Sequence, residues 1–248
     1  MIERLSKNPL GLAALALVAA LVGAGAFWLF QRAAPSSLGS ADQARVERVV
    51  RDYVLAHPEI IPEAMQRLRE REAGKVIDAN ASAILKPFGN AWAGNPNGDV
   101  TVVEYFDYNC GYCRASLPHV AQLIASDPKV KVVYRELPIL AETSAAAAKL
   151  SLAAADQGKF AAFHDALYAA GQVTPESMTA AAQKAGVDLQ RAAAFGPRAE
   201  AEIATNLQVM RQLGMTGTPS FVIGNQVVSS VLSFEELQKA VADARAKS

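Results

Sequence analysis

The spacing of hydrophobic positions changes several times along the chain, and each change predicts an element. Residues 10–30 form an uncharged, largely apolar run with no polar face, as long as the ~20 residues needed to cross a bilayer core. Residues 33–40 (Ala-Ala-Pro-Ser-Ser-Leu-Gly-Ser) have linker composition. From 42 to about 72 the spacing becomes helical. Val46, Val49, Val50, Tyr53 and Val54, then Ile61, Ala64, Met65 and Leu68, recur among charges of both signs. His57-Pro58 and Pro62 are expected to break or kink the path between two helices. Residues 75–86 extend this stalk, giving a segment 41–85. Its apolar stripe is narrow and heptad-like, so it must bury either on the same chain or against other copies.

Beyond the stalk, Asn95-Pro96-Asn97-Gly98 is a turn that launches a strand over 100–106 (Val-Thr-Val-Val-Glu-Tyr-Phe). A helix is predicted over 114–126 and a second core strand over 129–135. Residues 141–214 are alanine-rich, with Gly158, Gly171, Gly186 and Gly214 where helix C-caps fall. Thr174-Pro175-Glu176 has the form of an N-cap followed by proline at the first helical position. Four or five short helices are expected there. Strands over 219–223 and 226–229 and a helix over 234–246 complete the chain.

Composition adds little until the cysteines are considered. Lys+Arg and Asp+Glu balance at 24 each, so no basic surface points to nucleic acid. The chain has two cysteines, in Cys110-Gly111-Tyr112-Cys113, between the first strand and its helix. That order puts Cys110 at a helix N-terminus, where the helix dipole and free N–H groups favour thiolate. Cys113 lies one turn on, close enough to close a disulfide, so the pair is a reversible two-electron switch. A structural zinc site needs four ligands, and His57, His119 and His164 form no second pair at metal spacing. A structural disulfide across so short a loop removes little unfolded-state entropy. No metal or other cofactor is expected. The predicted fold is α/β: a thioredoxin-like core over 86–248 with a helical insertion at about 141–214. A charged helical segment and a membrane-spanning or signal segment (1–33) precede it.

The leader sets the compartment. Arg4 and Lys7 precede the apolar run and Arg32 follows it, which keeps the N-terminus cytoplasmic and exports the rest. Length favours an uncleaved anchor in the inner membrane through residues 10–30. Ala24-Gly25-Ala26 has the small-x-small form of a signal cleavage site, and both outcomes stay open. Either way the cysteine pair faces the periplasm, an oxidising compartment.

Phe106-Asp107-Tyr108-Asn109-Cys110-Gly111-Tyr112-Cys113, with Gly217-Thr218-Pro219-Ser220-Phe221-Val222-Ile223-Gly224 about a hundred residues later, resembles the DsbA family of thioredoxin-fold oxidoreductases. The charged segment 41–85 makes the chain most similar to the ScsC-type proteins. The resemblance implies that Cys110 is the exposed nucleophile and Cys113 the buried resolving cysteine. It implies a cis bond before Pro219, with Thr218 presenting its backbone to an extended substrate, and a kink at Pro118 in the active-site helix. Glu104 matches a buried acid below the site. Its apolar flanks fit that burial, where it would accept the Cys113 proton. DsbA itself has Pro-His between its cysteines. Gly111-Tyr112 supplies no positive charge, which implies a milder oxidant, and Thr218 before the proline is isomerase- or reductase-like.

The sequence is therefore expected to encode a periplasmic thiol–disulfide oxidoreductase or isomerase acting on exported proteins. Its expected partners are a membrane redox protein of DsbB or DsbD type and further copies of itself. A monomeric DsbA-like dithiol oxidase and a copper-handling thiol protein, two thiolates suiting a soft ion, are the alternatives.

Overall fold

The computed structural model describes residues 9–33 and 39–247. The basic start with Arg4 and Lys7 and most of the 33–40 linker lie outside them. Helix α1 (Pro9–Ala33) is continuous, and its stretch Leu12–Phe30 is long and apolar enough to cross a membrane. Helices α2 (Ser40–Ala56) and α3 (Ile60–Ala79) follow. The break between them falls at His57-Pro58, as expected. Pro62 breaks nothing. It sits in the first turn of α3, where a backbone N–H has no intrahelical partner to lose. Val46, Val49, Tyr53, Ile61, Met65 and Leu68 are exposed.

The part of the chain that follows the stalk centres on a five-stranded sheet in the order β1-β3-β2-β4-β5. Its strands are β1 (Trp92–Gly94), β2 (Val100–Phe106), β3 (Val130–Glu136), β4 (Ser220–Ile223) and β5 (Gln226–Val228). Strands β2 and β3 pair in parallel; the other pairings are antiparallel. Helix α4 is Ala81–Leu85, α5 is Gly111–Ser126, and α11 is Phe234–Ala246. The insertion holds five helices: α6 (Glu142–Asp156), α7 (Phe160–Ala170), α8 (Pro175–Ala185), α9 (Leu189–Ala194) and α10 (Gly196–Gln212). Gly158, Gly171, Gly186 and Gly214 all take positive φ, as helix ends that need a left-handed residue require.

Strand alternation assigns the two faces. Val100 and Val102 of β2 pack with Val120 and Leu123 of α5 and Leu237 and Val241 of α11. Val103 and Tyr105 pack on the opposite face with Ile77 of α3, Ile84 of α4 and Val209 of α10. Arg135 of β3 reinforces that second face, donating to the carbonyls of Ile84 and Lys86 and pairing with Glu202. The stalk boundary drawn at residue 85 thus falls inside core packing. Ile77 and Ile84 are buried, and their helical periodicity resembled that of the exposed residues upstream. Strand β1 was not predicted; its three residues are too short to show an alternation.

Candidate active site

Strand β2 delivers its C-terminal end to the turn 107–110, and α5 begins at once. The predicted helix start at residue 114 moves to Gly111, because Cys110 itself is the N-cap: its sulfur accepts from Cys113 N–H at 3.3 Å. On its other side, Cys110 Sγ lies 3.1 Å from the carbonyl of Thr218 and donates to it as a thiol. The Thr218–Pro219 bond is cis. Cys110 was expected to be exposed, but the residue is only 4% exposed. The 217–219 loop closes over it on one side, and aromatic and aliphatic side chains pack against it on the other. Tyr112 stands out to solvent at 72% exposure, and a side chain at Gly111 would meet nothing. The Gly-Tyr pair is therefore the accessible face of the site.

Cys113 is deeper, and burial pushes its thiol well above the ordinary range. Both cysteines are reduced. Glu104 faces the same side of the sheet as α5, is 2% exposed, and touches Ser116 Oγ at 2.8 Å. Among the described residues its second oxygen has no hydrogen-bond partner. Burial raises its carboxyl to about 7, against a smaller lowering by the Ser116 hydrogen bond. The glutamate placed below the site by its apolar flanks is therefore a group that changes charge near neutrality. Pro118 lies inside α5. His119 is half-buried on the same helix. His57 lies 3.4 Å from Glu59 in the turn after α2.

The cysteine turn is tied to its surroundings by residues that carried no expected role. Asp107 is buried, and its carboxylate accepts three backbone N–H groups: Asn109 at 2.8 Å, Ile139 at 2.9 Å and Leu140 at 3.1 Å. Asn109 Nδ2 reaches Thr143 Oγ1 and Ser144 Oγ at the start of α6. Tyr108 OH bonds Ser151 Oγ at 2.9 Å and His164 Nδ1 at 3.2 Å. Burial lowers His164 to about 3, so its ring is neutral. An aspartate two residues before an asparagine reads as an Asx-type turn, which would have revealed the first of these bonds. The others join positions more than thirty residues apart and leave no local signal. Among the described residues, no three His, Cys, Asp or Glu side chains cluster as a metal site requires.

A parallel-antiparallel sheet, a cysteine pair capping a helix and a cis-proline loop against the first sulfur define a thiol–disulfide oxidoreductase fold. The chain belongs to the thioredoxin family, which it matches over residues 88–243. Residues 42–74 match the copper resistance protein ScsC N-terminal domain, and the whole is a ScsC-type thioredoxin-fold protein. A thioredoxin-like oxidoreductase from Silicibacter pomeroyi is 40% identical, covering 67% of this chain and 98% of that one, with a TM-score of 0.64. ScsC of Proteus mirabilis in a transitional conformation is 25% identical over 87% of this chain and all of that one, TM-score 0.63. The thiol-disulfide exchange protein α-DsbA2 of Wolbachia pipientis is 28% identical over 71% and 97%, TM-score 0.64. The curated relatives it matches are Na(+)/H(+) antiporters of Salinispora, 31% identical over 150 residues, and that match spans 23% of their length.

Proposed function

We propose that the protein exchanges and isomerises disulfides in exported proteins from the periplasmic side of the inner membrane, through Cys110 and Cys113. The observation that carries this is the position of Cys110 Sγ, capping α5 while touching the Thr218 carbonyl. As a thiolate, Cys110 attacks a substrate disulfide, forms a mixed disulfide and releases one substrate thiolate. That thiolate attacks elsewhere in the substrate. The final attack on the mixed disulfide frees Cys110, and no net electrons are transferred. In the oxidising direction, the Cys110–Cys113 disulfide takes two electrons from a substrate dithiol and passes them to a membrane redox partner of DsbB type; a partner of DsbD type would instead supply electrons and return the pair to the dithiol form. Thr218 and Pro219 border the groove in which the substrate backbone lies, and Gly111 and Tyr112 form its open rim.

Cys113 resolves the mixed disulfide after losing its proton, and Glu104 is the acceptor. The deep burial and raised thiol of Cys113 slow that resolution. A long-lived mixed disulfide gives the substrate time to reshuffle, which favours isomerisation over simple oxidation. Exposed Val46, Val49, Tyr53, Ile61, Met65 and Leu68 support self-association through the stalk. Assembly holds several cysteine pairs around one substrate and raises the effective concentration of the next thiol. Residues 10–30 act as anchor or cleaved signal.

Trapping tests this. In Cys113→Ala, mixed disulfides with oxidised, scrambled ribonuclease accumulate on the Cys110 thiolate, and the reduced wild-type chain restores ribonuclease activity. Accumulation on Cys113 in Cys110→Ala, or no recovery of ribonuclease, refutes the assignment.

A further inference from the structure

A cleft of about 500 Å³ lies between the start of α5 and the loop that joins α7 to α8. Asn109 and Gly111, the two neighbours of Cys110, line one wall; Gln172 and Thr174 line the other, with Arg114 between them. An added side chain at Gly111 would meet nothing, so nothing bars the way from the cysteine turn into the cleft.

Arg114 is held in place from both ends. Its backbone N–H donates to the Cys110 carbonyl at 3.1 Å. Its Nη1 donates to the Tyr168 carbonyl at 3.0 Å and its Nη2 to the Gly171 carbonyl, both at the end of α7. The guanidinium also lies 5.7 Å from the centre of the Tyr168 ring. A basic side chain capping a helix end is the bland account of these contacts. It uses two of the five N–H donors of a guanidinium, and among the described residues no carboxylate pairs with the charge. Glu176, two residues past Thr174, directs its carboxylate to the first turn of its own helix. The cleft therefore presents a half-buried, pre-positioned guanidinium, the group best suited to grip a carboxylate.

The distances suit a short ligand. A mixed disulfide puts the bonded cysteine's Cα about 6 Å from that of Cys110, and the next residue adds ~3.8 Å. A carboxylate on that next residue is thus about 10 Å from Cys110. Arg114 starts one helical turn from Cys110, about 6 Å away, and its side chain covers the rest. The cleft has the volume of a small-molecule site.

Resting on the exchange function proposed above, we infer that this cleft binds the free carboxylate of a small peptide disulfide, of the chemical class of glutathione disulfide, whose sulfur exchanges with Cys110. Arg114 holds the carboxylate, and the end of α7 holds Arg114. The Cys110 thiolate attacks one sulfur, the small disulfide breaks, and one small thiolate leaves. Cys113 gives its proton to Glu104, attacks the mixed disulfide and releases the second thiolate. Two electrons pass from the cysteine pair to the small disulfide, and the reverse reaction with two small thiols reduces the pair. A soluble thiol pool then sets the redox state of Cys110 and Cys113 without a membrane partner.

The test uses the full-length reduced chain in detergent, with glutathione disulfide and its tetraethyl ester as probes. They share the reacting sulfurs and differ in the carboxylates. Mass spectrometry of quenched samples reads the mixed disulfide on Cys110. The wild-type chain should react about tenfold faster with the acid than with the ester, as a hydrogen bond to a charged group implies. Added salt should shrink that ratio. In Arg114→Gln the ratio should fall to about one, while Arg114→Lys, which keeps the charge, should retain part of it. S-methylglutathione, which cannot exchange, should shift the amide NMR signals of residues 111–114 and 171–174 and leave 218–220 in place. A ratio that survives Arg114→Gln, equal losses with both probes, or shifts confined to 218–220 overturn the cleft and leave the exchange function standing. An Arg114-dependent preference for acidic polypeptides, without one for glutathione disulfide, overturns it in favour of a protein side chain. A wild-type chain inert toward both probes and toward scrambled ribonuclease removes the exchange function and this proposal with it.

Discussion

Ser116 Oγ sits 2.8 Å from Glu104 Oε1 and also 2.8 Å from the carbonyl of Cys113. The hydroxyl has one proton and two acceptors in reach. With Glu104 protonated, the carboxylic acid donates to Ser116, which donates to the Cys113 carbonyl. With Glu104 ionised, the serine proton turns to the carboxylate. The serine is therefore coupled to the charge of the only acid on this face of β2, one turn from the second thiol.

Glu104→Gln should change how stability depends on pH. Burial lifts the folded carboxyl to about 7 from the ordinary 4.5. Below 4.5 the group is neutral in both folded and unfolded states and contributes no difference. Between 4.5 and 7 the unfolded chain loses this proton while the folded chain keeps it, so the wild-type protein loses stability as pH rises. Urea unfolding of the reduced protein should show the glutamine variant gaining on wild type across that window, by up to about 3 kcal/mol. A difference that stays flat from pH 4 to pH 8 rules the shift out.

Ser116→Ala leaves both Glu104 oxygens without a partner. Its carboxyl should titrate higher still, since the serine bond is what lowers it. Loss of a buried hydrogen bond to the acid should cost about 1–3 kcal/mol, read by the same unfolding at pH 8.

Asp107→Asn replaces an acceptor of three N–H groups with an amide that has one oxygen. At least one of Asn109, Ile139 and Leu140 then faces an NH2 group. The cost should be about 1–3 kcal/mol for a buried donor left unpaired. Hydrogen exchange should locate it at residues 109 and 139–140, and uniform loss across the sheet would contradict the clamp.

Much of this site was legible in the chain itself. The strand–cysteine pair–helix order placed Cys110 at a helix start, and the apolar flanks of Glu104 announced its burial. What stayed hidden was set by distance in sequence. Nothing near Asp107 signals that it will bind the backbone of Ile139 and Leu140, or near Tyr108 that it will meet His164 fifty-six residues on. Cys110 was placed in the right element with the wrong exposure, because the loop that covers it comes from residues 217–219. Strand β1 exists only because β3 offers it an edge.

Gly89→Ala should be costly for two reasons that act together. Gly89 has φ of +51°, and an added Cβ would fall 2.4 Å from the backbone carbonyl oxygen of Ala155 in α6. Left-handed backbone alone costs about 1–2 kcal/mol for a residue with a side chain, and the carbonyl cannot swing aside. Thermal unfolding should show a clear fall in Tm, whereas Gly111→Ala, which meets nothing, should leave it close to wild type.

Val49→Asp with Met65→Asp should abolish self-association by the full-length chain in detergent. Both side chains are more than half exposed, so the charges cost little within one copy and much in an apolar seam between copies. Light scattering at tens of micromolar should report a falling mass, with the rate toward a small disulfide unchanged. A wild-type chain that is already monomeric there removes the stripe's proposed role.

Ile84 sits in a socket made by strands that follow it in sequence, and Gly74 lets α3 approach Asn225 so closely that a Cβ would fall 2.9 Å from its side-chain nitrogen. Stalk and catalytic fold are therefore not freely interchangeable cassettes. A chimera joined at residue 86 leaves the Ile84 socket open and asks a foreign helix to fit the β4–β5 turn. Recombination that trades one stalk for another, in the laboratory or in a genome, is constrained to cross over ahead of Gly74. The helix end and the hairpin turn it touches must then diverge as a pair.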